Sequence, residues 1–127
     1  MESNPESIVR EFWRLMATND FHLVKMVLSP RFVMEWPQSC ERIRGADNFA
    51  RMNAEYPSKN RWTFTINHLI AQGNAVVTQV SVSDGEQHAE PISFFTVEDG
   101  RIVHLREYWP EPYPPPANRS HLVELMA

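Results

Sequence analysis

Cysteine is almost missing from this chain. Cys40 stands alone among 127 residues, so no disulfide can form within the chain and a zinc site built on paired cysteines is excluded. A positive excess is missing too: 12 Lys and Arg stand against 16 Asp and Glu, for a formal charge of -4. Phosphate recognition needs a basic stripe, and none is visible, which argues against nucleic acid as a partner. No apolar run approaches the length of a membrane span, and the opening MESNPESIVREF has neither the basic start nor the apolar stretch of a secretory signal. The expectation is a cytoplasmic protein with no membrane partner. Hydrophobic residues at 43% and charged residues at 22% fit a folded domain rather than a disordered one. A chain of this length buries roughly two-thirds of its unfolded surface as one domain.

The first half reads as helices. Asn4 precedes Pro5 and Glu6, a capping side chain followed by a residue that needs no amide partner and an acid at the positive helix end. Ile8, Val9, Phe12, Trp13, Leu15 and Met16 then recur at helical spacing. Thr18-Asn19-Asp20 breaks the pattern, and Asp20 offers a cap for a second helix with Leu23, Val24, Val27 and Leu28 on its apolar side, stopped by Pro30. Arg31 to Trp36 alternates as a strand, with Phe32, Met34 and Trp36 on one side and Val33 and Glu35 on the other. Gln38 to Gly45 is polar and reads as a loop; a third helix follows, with Phe49, Met52 and Tyr56 on one face, closed by Pro57.

From Arg61 the period becomes two. Trp62 to Gln72 and Ala75 to Ser83 read as strands around Gly73-Asn74, and Asp84-Gly85 leads into a strand running to Val97. The segment PISFFTVEDGRIVHLREYW, Pro91 to Trp109, is a hairpin turning at Asp99-Gly100. A two-residue loop pairs Phe94 with Leu105. A three-residue loop, Glu98-Asp99-Gly100, places Ser93, Phe95 and Val97 with Val103, Leu105, Glu107 and Trp109, and leaves Ile92, Phe94, Thr96, Ile102, His104, Arg106 and Tyr108 opposite. The second register is preferred because it gathers the uncharged side chains on one surface around a single acid. Phe32 to Trp36 is expected at the edge of this meander. The predicted architecture is α+β: a conical barrel of a curved antiparallel sheet packed on three N-terminal helices. Residues 1–110 form the domain, and 111–127, opening on EPYPPP, a proline-rich tail with a short helix from Asn118 to Met126.

The pieces ATNDFHLVKMVLSPRFVMEWP, ERIRGADNF, ISFFTVEDGRIV and REYWPEP resemble the SnoaL-like branch of the nuclear-transport-factor-2-like superfamily, over about residues 5 to 110. The resemblance implies a conical α+β barrel, often dimeric, with a pocket between the sheet and the first helices. It spans several chemistries. Laid on ketosteroid isomerases, the chain has Phe12, Trp36 and Ser93 where those enzymes carry a tyrosine and two aspartates. Limonene epoxide hydrolases need an Asp-Arg-Asp set, of which Glu107 matches one acid while Ser93 replaces a second charge. SnoaL-type cyclases use one late acidic residue, and Glu107 is the nearest match, longer by one methylene than the usual aspartate.

Glu107 is therefore the candidate catalytic acid or base, for which desolvation in an apolar cavity should raise the pKa. The competing reading pairs it with Arg42, Arg44 or Arg106 as a structural ion pair. Phe12, Trp13, Met34, Trp36, Tyr56, Ser93, Phe95, Leu105 and Trp109 are the candidate ligand-binding residues, against the plainer reading of aromatic core. Glu35, opposite Trp36 by alternation, reads as a salt bridge or dimer contact, and Cys40 as an inert thiol. His22, His68, His88, His104 and His121 lack metal-ligand spacing, so no metal site is expected. The expected partners are a hydrophobic or aromatic small molecule and a second copy of the chain, with no cofactor required. The reading is a cofactor-free cyclase, isomerase or lyase-type step on a carbonyl compound, or else a noncatalytic binding or dimerisation module.

Overall fold

The computed structural model describes residues 4–126; the first three residues of the leader reading and the last residue of the tail lie outside it. Helix α1 spans Pro5–Ala17, with the Asn4 side chain accepting a hydrogen bond from the Ser7 amide as the sequence predicts. Its apolar stripe from Ile8 to Met16 is buried. Asn19 ends the helix in the left-handed region at φ 62° and clamps the chain to Trp62: its side chain accepts from the Trp62 amide at 2.7 Å and donates to the Trp62 carbonyl at 2.9 Å. Phe21–Val27 forms a 3-10 helix rather than an α-helix, and the Asp20 side chain makes no cap bond. With only seven residues before strand β1, Leu28–Trp36, the tighter winding is enough to bury Phe21, Val24 and Val27.

The predicted loop after Pro37 contains a strand. β2, Glu41–Arg44, pairs antiparallel with β1, and its alternate side chains are too polar to betray it in the sequence. β2 therefore forms the sheet edge expected of β1. Helix α2, Ala46–Glu55, starts on Gly45 at φ 90°, where a side chain would be strained, and buries Phe49 and Ala50; Tyr56 falls beyond its end and stays exposed. Then come β3, Thr63–Gln72, β4, Ala75–Ser83, the two-residue β5, His88–Ala89, β6, Ile92–Glu98, and β7, Arg101–Tyr108. The long strand predicted from Asp84 is thus interrupted at Glu90-Pro91, where proline supplies no amide to a ladder.

The sheet runs β2-β1-β7-β6-β4-β3, with β5 beside β4. It is mixed, not wholly antiparallel, because β1 lies parallel to β7; the chain between them is long enough for the crossover that parallel pairing requires. The sheet does not close: β2 and β3 are its ends. Irregular register in β1, in β3 near Asn67 and in β7 bends it around the helices. Phe12, Phe32, Phe49 and Phe95 meet at the centre of the core, each at most 2% exposed.

The hairpin turn itself is the two-residue Asp99-Gly100, both at positive φ (52° and 75°), so Val97 pairs with Ile102. Val103 is then bulged out, and beyond it Phe95 faces Leu105 and Ser93 faces Glu107. The predicted inner grouping of Ser93, Phe95, Leu105 and Glu107 is present, reached by a turn plus a bulge instead of a longer loop. Ile102, assigned to the outer face, is fully buried for the same reason. After Tyr108 the chain leaves the sheet. Every position from Trp109 to Met126 is exposed, and the predicted terminal helix reduces to one 3-10 turn, Ala117–Arg119.

Candidate functional site

Glu107 sits on the inner side of β7, near the end of the strand, and is 5% exposed. Alternation along β7 turns it inward while Arg106 turns out. Its neighbour across the ladder is Ser93 of β6, whose hydroxyl donates to one carboxylate oxygen at 2.8 Å. The indole N–H of Trp36, at the end of β1, donates to the other oxygen at 3.3 Å. Loss of water around the carboxyl pushes its pKa above the ordinary value, while Ser93, Trp36 and Trp109 favour the ionised form and partly oppose the shift. No arginine reaches it. A proton on Glu107 is therefore held more tightly than on an exposed glutamate, among neutral neighbours.

The apolar residues nominated as pocket wall occupy the same side of the sheet. Phe12, Trp13, Met34, Phe95 and Leu105 are between 0% and 4% exposed and form part of one cluster. Ring centroids of Phe12 and Trp13 stand 5.0 Å apart, and those of Phe12 and Phe95 5.1 Å, both edge-on. The Trp13 indole donates to Thr78 at 3.2 Å inside this core. The space expected as an open cone is filled by these rings at this point. Trp36 and Trp109, the latter 37% exposed, stand nearer the surface at the sheet end. Tyr56 lies apart from Ser93 and Glu107, stacked edge-on against Trp62 at 5.9 Å.

Gln38 is a residue that sequence reasoning missed. From the turn after β1 its side chain donates to the Trp109 carbonyl at 3.2 Å and accepts from the Trp109 amide. This pair holds the exit of β7 against the turn beside Trp36 and so keeps the rim around Glu107 in place. A single glutamine in a polar stretch carries no local signal of such a role.

On the opposite side of the sheet, Glu35 gathers the charges that competed for Glu107. Arg42 of β2 and Arg106 of β7 approach it at 2.9 and 3.1 Å, and His104 Nε2 at 2.9 Å. Hydrogen bonds from His104, Arg42 and Arg106 hold its carboxyl down at about 2. The predicted salt-bridge reading of Glu35 is thus what the geometry displays. Cys40 is exposed on the turn between β1 and β2, and His22, His68, His88 and His121 are exposed and dispersed. Among the described residues no group of three or more His, Cys, Asp or Glu side chains is placed to hold a metal ion, and no helix is long and apolar enough to cross a membrane.

The bent open sheet wrapped on N-terminal helices, with Glu107 buried on its inner side, defines an α+β cone of the nuclear-transport-factor-2-like kind. Within that class the chain belongs to the SnoaL-like domain family, whose model matches residues 9–105. Among solved structures it is similar to a protein from Kribbella flavida DSM 17836 provisionally described as a ketosteroid isomerase, with 29% identity, a TM-score of 0.88, and 97% of this chain and 90% of that chain covered. An NTF-2-like protein of unknown function from Burkholderia xenovorans LB400 shares 25% identity at a TM-score of 0.79, over 97% and 95% of the two chains. An LEH-like epoxide hydrolase from M. tuberculosis shares 25% identity at 0.68, over 84% and 82%. The search of curated proteins gave no match.

Proposed function

We propose that the protein transfers a proton to or from carbon in a hydrophobic carbonyl compound, as in a cofactor-free cyclase, isomerase or lyase-type step, with Glu107 as the acid/base. One observation carries the reading: a carboxyl buried on the apolar side of the sheet, free of cations, held by Ser93 and Trp36 and raised in pKa by desolvation. Ser93 and Trp36 orient the carboxyl, and Trp109 with Gln38 forms the rim over it. Phe12, Trp13, Met34, Phe95 and Leu105 supply the apolar wall once a ligand parts them, and Tyr56 is the outermost candidate contact. The similar structures include one provisionally described as a ketosteroid isomerase and one as an epoxide hydrolase. This chain carries Phe12, Trp36 and Ser93 where the isomerase triad is expected, so the reading rests on Glu107 alone.

The test is deuterium exchange at the carbon next to the carbonyl, followed by NMR, across aromatic ketones, steroids, terpenoids and polyketide fragments. Wild type should accelerate exchange for one of these classes, and Glu107→Gln should lose about 10²–10⁴-fold of that acceleration. Equal exchange by both proteins would remove Glu107 from the chemistry. A second reading, a ligand-binding module without catalysis, is favoured by the tightness of the core, in which the wall residues are at most 4% exposed. It predicts a ligand that raises the apparent melting temperature of both proteins while neither exchanges deuterium.

A further inference from the structure

Along β4 the buried side chains read Val76, Thr78, Val80 and Val82. Threonine has the shape of valine with a hydroxyl in place of one methyl, so packing among valines does not call for it, and a buried hydroxyl costs stability unless it is hydrogen-bonded. Thr78 is 0% exposed. Its place in the ladder is specific: it stands opposite Ser93 of β6, which in turn stands opposite Glu107 of β7. Thr78, Ser93 and Glu107 are the polar members among the buried side chains of these three strands, and they form one line across the inner face. On its other side Thr78 faces Leu69 of β3, which packs against the core. The polar direction from Thr78 along the ladder is therefore toward Glu107.

The donors along this line are spent unequally. The Ser93 hydroxyl and the Trp36 indole both donate to Glu107, while the Trp13 indole donates to the Thr78 oxygen at 3.2 Å. Trp13 thus accounts for the oxygen of Thr78 but not for its hydrogen, which meets no acceptor among the described residues. We propose that the Thr78 hydroxyl receives the carbonyl oxygen of the compound whose neighbouring carbon faces Glu107, and that Trp13 fixes its direction. The assignment rests on Glu107 as the acid/base and adds the substrate class: an uncharged ketone with a hydrogen on the adjacent carbon. A carboxylate is disfavoured, because the line offers no cation and already holds an acid. Thr78 and Glu107 stand two strand spacings apart, about 10 Å between their Cα atoms, and the Glu107 carboxyl is drawn toward Thr78 by its bond to Ser93. A carbonyl group and its neighbouring carbon laid over Ser93 therefore meet one side chain at each end. In the step the proton on that carbon passes to the ionised Glu107 carboxylate, the C–H electron pair becomes a carbon–carbon π bond, and the carbonyl π pair moves onto oxygen. The Thr78 hydrogen bond strengthens as that charge develops, reinforced by the Trp13 donor behind it. Return of the proton from Glu107 to carbon reverses the electron flow and regenerates the carboxylate.

The test separates oxygen recognition from proton transfer, using full-length wild type, Thr78→Val, Thr78→Ser and Glu107→Gln. Affinities are read by ligand-detected NMR for acetophenone and 2-acetylnaphthalene, each against its isopropenyl counterpart, in which a methylene replaces the oxygen. Wild type should prefer each ketone by about tenfold. Thr78→Val, which keeps the shape and removes the hydroxyl, should lose that preference, and Thr78→Ser, which restores a hydroxyl, should recover most of it. Deuterium exchange at the ketone methyl group is then measured on the same proteins. Thr78→Val should slow exchange about 10²-fold without moving the pH at which the rate is half-maximal, since the titrating group is Glu107. Glu107→Gln should abolish exchange and keep the preference for the ketone. A Thr78-dependent preference with no exchange by wild type would leave the oxygen site standing and remove the acid/base reading. Three outcomes overturn the proposal: Thr78→Val retaining the ketone preference, Thr78→Ser failing as Thr78→Val does, or wild type binding ketone and hydrocarbon alike or neither at millimolar concentration.

Discussion

Glu35 and Glu107 lie on neighbouring strands of one sheet and have opposite fates. β1 carries Glu35 and Trp36 in succession, and β7 carries Arg106 and Glu107, with Glu35 opposite Arg106 in the ladder. Because side chains alternate, Trp36 turns in to meet Glu107 and Arg106 turns out to meet Glu35. Each strand thus gives one acid to one face and one donor to the other. The outward acid keeps water and gains three cationic or imidazole partners, so its pKa falls; the inward acid loses water and gains only neutral donors, so its pKa rises. Burial and partner choice, not residue type, separate a structural carboxylate from a candidate reactive one.

The largest test of this contrast uses adjacent residues of β6. Phe95→Ala empties a site that is 1% exposed and should cost about 3–5 kcal/mol in chemical denaturation, whereas Phe94→Ala, on the outer face, should cost under about 1 kcal/mol in the free chain. Similar losses for the two would mean that the faces are not distinct. Ser93→Ala comes next. It leaves a buried carboxylate oxygen without its nearest donor and should destabilise the protein by about 1–3 kcal/mol at pH values where Glu107 is ionised. It should also raise the Glu107 pKa further, read from the carboxyl carbon shift in an NMR titration.

The two acids should also respond to pH with opposite sign. Glu107 holds its proton more tightly folded than unfolded, so stability falls as pH rises from about 4.3, the ordinary glutamate value, through the folded pKa. Glu107→Gln abolishes that slope, and its melting-temperature advantage over wild type should widen with pH and then level; a gap independent of pH would sink the assignment. Glu35 behaves the other way. Its contribution is present above about 4.3 and is lost as pH falls toward its folded value of about 2. Its side chain retains 20% exposure, so Glu35→Gln should cost only about 1 kcal/mol near pH 7, and 1 M salt should shrink that loss. Persistence of the full loss in salt would show that packing rather than charge is at work.

Much of the architecture was legible because it rests on local rules. The Asn4-Pro5-Glu6 start, the helical stripe from Ile8 to Met16, the change to period two after Arg61 and the inward grouping of Ser93, Phe95, Leu105 and Glu107 all follow from side-chain periodicity and cap chemistry. β2 was illegible because Glu41, Arg42 and Arg44 leave no alternation to read, and with it went the partner that Arg42 brings to Glu35. The hairpin turn was misjudged because a bulge at Val103 has no residue signature: a two-residue turn with a bulge and a longer loop give the same faces beyond it.

What the sequence determined by itself is the segments that carry an apolar period, helical in the first half and alternating after Arg61, and the face on which most of their apolar residues stand, since both depend on neighbours three or four positions away in a helix and two in a strand. Only the tertiary structure decided that β1 runs beside β7, that Trp36 and Ser93 rather than an arginine meet Glu107, that Gln38 ties down Trp109, and that the apolar wall closes on itself around Phe12. Those contacts join residues as many as 71 positions apart, and the sheet bend that brings them within reach comes from register shifts that no short stretch of sequence displays.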